Sequence, residues 1–243
     1  MGPWFRPAAG PGMTADDVRH FGSSLGIVAR VCLTFDNGPT EATPAVLKTL
    51  ARRGLSATFF VVGRQVATPE GWALAARARA EGHRVGNHTY SHATPLGYLS
   101  AADACAEIER AEAAIGALGH VPPLFRPFGD GGQADHWLLN AAARDHLIAG
   151  GYTCVLWDNV PHDWDDRDGW VERALAMVRA SSSSVLVLHD IAGACGDRLD
   201  GFLGRLLDEG HTVVQEEPDH CVPLRAGVAT ADLDRYVMER SGP

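Results

Sequence analysis

The stretch Ile27-Val28-Ala29-Arg30-Val31-Cys32-Leu33-Thr34-Phe35, closed by Asp36-Asn37-Gly38-Pro39, decides the fold. Only Arg30 and Thr34 interrupt the apolar run, so it reads as a strand buried on both faces, as strands of parallel sheets are. The four residues after it are turn formers. A helix then opens at Thr43-Pro44, with Thr43 as N-cap and Pro44 in the first turn, and stops at Gly54. A second apolar run, Ala57-Thr58-Phe59-Phe60-Val61-Val62, restarts the cycle, and Thr68-Pro69-Glu70 repeats the capping chemistry before Gly82 ends the next helix.

The same alternation continues to residue 215. Strands are predicted from His83 to Asn87, Leu124 to Phe128, Tyr152 to Trp157, Val185 to Leu188 and His211 to Gln215. Helices are predicted from Ser100 to about Leu118, up to Ala149, from Trp170 to Ala180 and from Leu199 to Glu209. Seven strand–helix units make an α/β protein with parallel pairing, either an open doubly wound sheet or an incomplete barrel. Polar clusters follow the C-terminal ends of several different strands, as in barrel enzymes, whereas an open sheet concentrates them at one switch point.

At 243 residues, 46% of them hydrophobic, the chain fits one domain over residues 26–243, with residues 1–25, rich in Gly, Pro and Ser, as a flexible lead-in. A formal net charge of -9 argues against nucleic acid or an anionic membrane surface as partner. Five scattered cysteines without a Cys-x-x-Cys pair fit a reducing compartment better than a disulfide framework. No apolar run approaches the roughly 18 residues of a spanning helix, and the N-terminus lacks an apolar signal core, so cytoplasmic residence is the default expectation. Oligomeric state is not legible.

Five clusters carry candidate chemistry. Asp36 ends the first strand and is a candidate carboxylate base. His88 and His92, four apart, are expected to share one face of a helical turn, where both imidazoles reach one metal ion completed by an oxygen ligand and water. Arg126, in Arg126-Pro127-Phe128-Gly129-Asp130, is placed to hold Asp36 in position and ionised. Two tryptophans in Trp157-Asp158-Asn159-Val160-Pro161-His162-Asp163-Trp164 suggest a pocket wall. His189, ending the sixth strand beside a carboxylate such as Asp163, is a candidate acid, and strand alternation puts Val187 on its face. Each cluster alone has a bland reading as a turn, a solvated pair or a surface loop. Their succession at strand ends suggests a hydrolytic enzyme.

With these residues in view, the chain resembles the polysaccharide deacetylases, the carbohydrate esterases with a NodB-type domain, over about residues 27–215. Thr34-Phe35-Asp36-Asn37-Gly38-Pro39 is similar to the family's Thr-Phe-Asp-Asp-Gly-Pro motif. His88-Thr89-Tyr90-Ser91-His92 is similar to its His-[Ser/Thr]-x-x-His motif. Arg126-Pro127-Phe128-Gly129, Asp163-Trp164 and Leu186-Val187-Leu188-His189-Asp190 are similar to the remaining three. The resemblance implies an irregular (β/α)7 barrel, a deformed TIM-like fold, and metal-dependent removal of an acetyl group from an acetylated carbohydrate or small molecule.

It further implies Asp36 as base, fixed by Arg126, with Asn37, His88 and His92 at the metal-ligand positions. Phe128 stands where an aromatic residue gives its backbone N–H to the oxyanion. His189, tuned by Asp163, protonates the leaving amine, and Trp164 and Val187 bracket the acetyl methyl. Two departures stand out. Asn37 replaces the second aspartate and removes a charge from the metal shell, which weakens affinity for a divalent ion, Zn²⁺ being the expected one, although branches acting on muramic acid also carry Asn here. The arginine motif is one residue shorter than Arg-Pro-Pro-Tyr-Gly. Two other functions use the same residues: hydrolysis of a non-sugar, perhaps cyclic, amide with weak or absent metal, and a carbohydrate-binding relic without turnover.

Overall fold

The computed structural model describes residues 27–230 and 233–239; the expected lead-in, residues 1–25, lies outside them. The seven predicted strands are present as β1 (Arg30–Asp36), β2 (Thr58–Val61), β3 (Arg84–Asn87), β4 (Leu124–Phe125), β5 (Thr153–Cys154), β6 (Ser183–His189) and β7 (Thr212–Val214). Between them run α1 (Thr43–Arg53), α2 (Pro69–Ala80), α3 (Ala101–Ile115), α4 (Ala141–Ala149), α5 (Trp170–Arg179) and α6 (Leu199–Asp208). The capping signals act as expected at three sites. Thr68 and Ser100 accept from the backbone N–H groups of Gly71 and Asp103, and Gly54 ends α1 at φ 63°. At the start of α1 the expectation fails: Ala42 is the N-cap, and the Thr43 hydroxyl is diverted to Asp190 Oδ2 at 2.5 Å.

The sheet curls as β5-β4-β3-β2-β1-β6, all parallel, with β7 pairing the N-terminal half of β1. A single parallel bridge from Asn159 to Leu186 links the loop after β5 to β6, so the ring closes irregularly. This is an α/β domain with a curled half-barrel sheet, a deformed (β/α)7 barrel. Strands β4 and β5 are two residues long, shorter than predicted, because the chain turns into loops at the mouth once pairing ends. Four short strands were not predicted. Leu224–Arg225 and Val228–Ala229 extend the sheet edge by antiparallel pairing, and Leu139–Asn140 pairs Val237–Met238.

Side-chain alternation divides each long strand between two environments. Val31, Leu33 and Phe35 of β1 and Leu186 and Leu188 of β6 face the helices and join one apolar layer with Leu47, Leu50, Trp170 and Phe202. Cys32 and Val185 face inward, where they pack with Phe60, Leu124, Val155 and Cys221. Continuing up the inward faces, β1 presents Thr34 and Asp36 while β6 presents Val187 and His189. The barrel interior is therefore apolar at its floor and polar at its mouth. Register places Asp36 level with His189 and with Phe60.

Candidate active site

Asp36 is buried at the C-terminal end of β1 and cannot sit there without a partner. Arg126, at 0% exposure just after β4, supplies it: one terminal nitrogen donates to Asp36 Oδ1 at 2.8 Å and to Thr34 Oγ1 at 2.7 Å. The rest of the guanidinium donates to the carbonyls of Val155 at 3.1 Å and Leu156 at 3.3 Å, and its plane lies 4.1 Å over the Phe60 ring. A buried cation so fully engaged is fixed in place. Asp36 Oδ1 is thereby committed, and Oδ2 faces His88 Nε2 at 3.6 Å.

The turn carrying His88 and His92 is not helical, contrary to expectation. Thr89 and His92 have φ of 64° and 51°, in the left-handed region, so the chain bends irregularly after β3. Local bonds hold that shape. Asn87 Oδ1 accepts from Thr89 N–H at 2.9 Å, and Glu107 Oε2 of α3 accepts from the N–H groups of Tyr90 at 3.1 Å and Ser91 at 2.7 Å. The two rings converge all the same, with Nε2 atoms 3.1 Å apart.

Several features of this cluster fit a divalent cation. His88 Nδ1 lies 2.9 Å from the Arg126 carbonyl, which can only accept, so Nδ1 carries the proton and Nε2 offers its lone pair. Burial depresses both imidazoles to about 3, so they are neutral at ordinary pH. Asn37 lines the same hollow, at φ 72°, and its Oδ1 is buried with no hydrogen-bond partner. Two neutral imidazole nitrogens and an unsatisfied amide oxygen form a donor set that a cation would complete. Another group of potential donors, Asp158, His220 and Cys221, lies elsewhere. There His220 Nε2 already bonds Asp158 Oδ2 at 2.9 Å, and burial, reinforced by Asp158, pushes the Cys221 thiol up to about 12.

His189 ends β6 with Asp163 clamped to it twice: Oδ1 accepts a hydrogen bond from Nδ1–H at 2.8 Å and Oδ2 accepts from the His189 backbone N–H at 2.9 Å. Burial works to lower this imidazole, but the hydrogen bond and charge of Asp163, with Asp36 and Asp190 behind them, carry its pKa above the usual value. The Trp164 indole meets the ring edge-on, 4.6 Å between centroids.

Asp36, Asn37, His88, His92, Phe128, Trp164, Val187 and His189 line one cavity of about 330 Å³. Arg126 and Asp163 stand behind it. All ten predicted site residues are therefore brought together. Phe128 lies against His92, ring centroids 4.1 Å apart.

Residues that sequence reasoning missed or left without a specific role complete the wall. Ile191 lines the pocket beyond His189, and Trp157, named only as a wall, donates its indole N–H to Gly132 O at 2.7 Å and so pins the glycine loop. A Cβ on Gly129 would lie 2.4 Å from that indole, so the loop packs on Trp157 only because Gly129 has none. Asp190, quoted in a motif without a role, is wholly enclosed, and burial raises its carboxyl to about 7. It carries the Asn37–Thr43 turn through Thr43 Oγ1 and through its own carbonyl, which accepts from Thr40 Oγ1 at 2.6 Å.

Comparison with known proteins bears on this arrangement. The family model described as polysaccharide deacetylase matches residues 28–146. A chitooligosaccharide deacetylase of Bradyrhizobium is 36% identical over 179 residues, 71% of this chain and 75% of that protein. A peptidoglycan-N-acetylmuramic acid deacetylase of Bacillus subtilis is 33% identical over 187 residues, covering 76% of this chain but only 37% of that relative's length. Among solved structures, a family 4 carbohydrate esterase from Streptomyces lividans in complex with acetate superposes with TM-score 0.67 at 29% identity, over 84% of this chain and 97% of that one.

Proposed function

The chain belongs to the polysaccharide deacetylase family, and on that premise we propose that residues 26–243 hydrolyse the acetamide of an N-acetylated sugar or oligosaccharide, releasing acetate and a free amine. The observation that carries this reading is one hollow with a carboxylate and an imidazole level on adjacent strands, each held by its own buried counter-charge. Asn37, His88 and His92 would hold a divalent metal, with Zn²⁺ the reading the imidazole pair favours. When bound there, such an ion polarises the acyl oxygen and lowers the pKa of water.

The chain's own residues supply the rest. Arg126 occupies Asp36 Oδ1, so Oδ2 is the atom that takes a proton from the attacking water. The Phe128 backbone N–H would be the donor to the developing oxyanion, the role the family resemblance gives this position. Asp163 fixes the proton on His189 Nδ1, so Nε2 faces the pocket and delivers a proton to the departing nitrogen. Trp164, Val187 and Ile191 form the apolar seat for the methyl group.

A binding relic has no use for this arrangement. Two buried charged pairs cost desolvation energy that sugar binding alone does not require. A non-sugar amide hydrolase would share the base and acid, and only a substrate series separates it. The test is acetate release from N-acetylated sugars and from simple cyclic and acyclic amides, alongside metal analysis of the purified protein. Release from acetylated sugars, abolished by a chelator and restored by Zn²⁺, is expected. Turnover confined to non-sugar amides, or untouched by the chelator, would overturn the proposal.

A further inference from the structure

The barrel closes irregularly between β5 and β6, and a second cluster of metal-ligating side chains sits on that seam. Three stretches of chain meet there. The loop after β5 is tied to β6 by the bridge from Asn159 to Leu186, and Asp158 beside it accepts from the Val185 backbone N–H at 2.8 Å through Oδ1. The short turn Asp219–Cys221 comes in from the C-terminal part of the chain, and the Cys221 carbonyl accepts from Leu156 N–H at 2.8 Å. The catalytic mouth is remote: Val185 stands four residues, roughly 13 Å, below His189 on the same strand.

Asp158, His220 and Cys221 turn their donor atoms toward one another at this junction. One donor atom from each lies within 4.8 Å of the other two, and His220 Nε2 is 2.9 Å from Asp158 Oδ2. Tetrahedral zinc bonds hold ligand atoms roughly 3.3–3.8 Å apart, so a shift of about 1 Å closes the set. The exposed His220 side chain can make that shift. The sulfur is the fixed point, because Cys221 is buried in the apolar floor with Cys32, Phe60, Val155 and Val185.

The order of the three groups decides what they can do. An exposed Asp–His pair alone contributes little, and it is the sulfur behind it that needs an account. A thiol nucleophile needs a base or a cation at its side. Here the neighbour is a carboxylate, whose charge and hydrogen bond add to burial in keeping the thiol protonated. A bound cation reverses this: it deprotonates a coordinating thiol outright and makes the carboxylate a fellow ligand. Thiolate and imidazole donors suit zinc and ions like it, whereas Mg²⁺ and Ca²⁺ take oxygen.

We infer that Asp158, His220 and Cys221 form a second divalent-metal site, for Zn²⁺ or a thiophilic ion of similar size, which pins the Asp219–Cys221 turn to the loop after β5 and locks the barrel seam. Its role is structural and separate from amide hydrolysis.

The test adds Co²⁺ or Zn²⁺ to the full chain carrying His88→Ala and His92→Ala, which strips both imidazoles from the catalytic hollow. Co²⁺ should give a thiolate-to-metal charge-transfer band that saturates at a single equivalent, a signature the sulfur-free catalytic hollow cannot produce. Zn²⁺ should raise the melting temperature. Cys221→Ser should abolish the band. His220→Ala, at an exposed position, should melt unchanged without metal, lose the shift with Zn²⁺ and bind Zn²⁺ about a hundredfold more weakly. That combination separates loss of a ligand from loss of the fold. Three results would each overturn the site: no band in the folded background chain, a band that survives Cys221→Ser, or Zn²⁺ affinity unchanged in His220→Ala. None of these readouts involves turnover, so each leaves the deacetylase reading where it stood.

Discussion

Arg126 is the residue on which the mouth of the barrel depends. Its charge is wholly enclosed, and Asp36 is the carboxylate that answers it. Arg126→Met strands that carboxylate in an apolar setting, and removing one member of a buried pair typically costs about 3–5 kcal/mol. Urea unfolding should show a loss of this size, together with loss of acetate release. His189 makes a prediction of a different kind. Its folded-state pKa is raised, so the stability it draws from Asp163 is complete below its ordinary 6.5 and fades as pH climbs through the folded value. The same shift keeps the imidazole protonated further into the alkaline range. Asp163→Asn removes the charge, so the alkaline limb of kcat should move to lower pH; a limb that stays in place would show that Asp163 does not tune the acid.

Elements position these side chains, and the turn after β3 shows how. Its irregular backbone hangs on Glu107 of α3, a residue that does not line the pocket. Glu107→Ala should free the Tyr90 and Ser91 amides, loosen the imidazole pair and lower zinc affinity by about 10–100-fold in equilibrium dialysis, as loss of an outer support typically does. Affinity equal to wild type would show that the turn holds its shape unaided. At this scale the sequence was readable where local chemistry decides. Strands β1, β2, β3, β6 and β7 and the ends of α1, α2 and α3 lie close to where apolar runs, Thr, Ser and Gly signals put them. It was unreadable where tertiary contacts override local preference. Thr43 abandons its capping role for Asp190, and the His88–His92 turn leaves helical geometry because Asn87, Glu107 and the left-handed Thr89 dictate another path.

Across the whole molecule, stability and chemistry occupy different layers. Trp170 of α5 is fully buried against Phe202 of α6, ring centroids 5.2 Å apart, within the outer apolar layer. Trp170→Ala should cost about 3–5 kcal/mol in denaturant unfolding while the folded fraction keeps its specific activity. A proportionate loss of kcat would mean that the layers are not separate. The count of strand–helix units and the inward ends of β1 and β6 were legible because period-two alternation is local. Ring closure was not, since the bridge from Asn159 to Leu186 and the antiparallel edge at Leu224–Arg225 depend on partners far along the chain. Convergence of Asp36, Arg126 and His189 was legible through the order of strand ends and through the family motifs they fall in. Ile191, Gly131 and Gly132 gave no signal, because apolar and glycine residues in loops look alike whether or not they face a cavity.

The central claim is that Asp36 and His189 act as base and acid on one substrate in one hollow. Acetate release from an N-acetylated oligosaccharide by zinc-loaded wild type, Asp36→Ala and His189→Ala tests it most directly, with each variant confirmed folded by circular dichroism. Turnover in wild type and a fall of at least a hundredfold in each variant is the predicted result. Wild-type turnover retained in both variants would contradict the account.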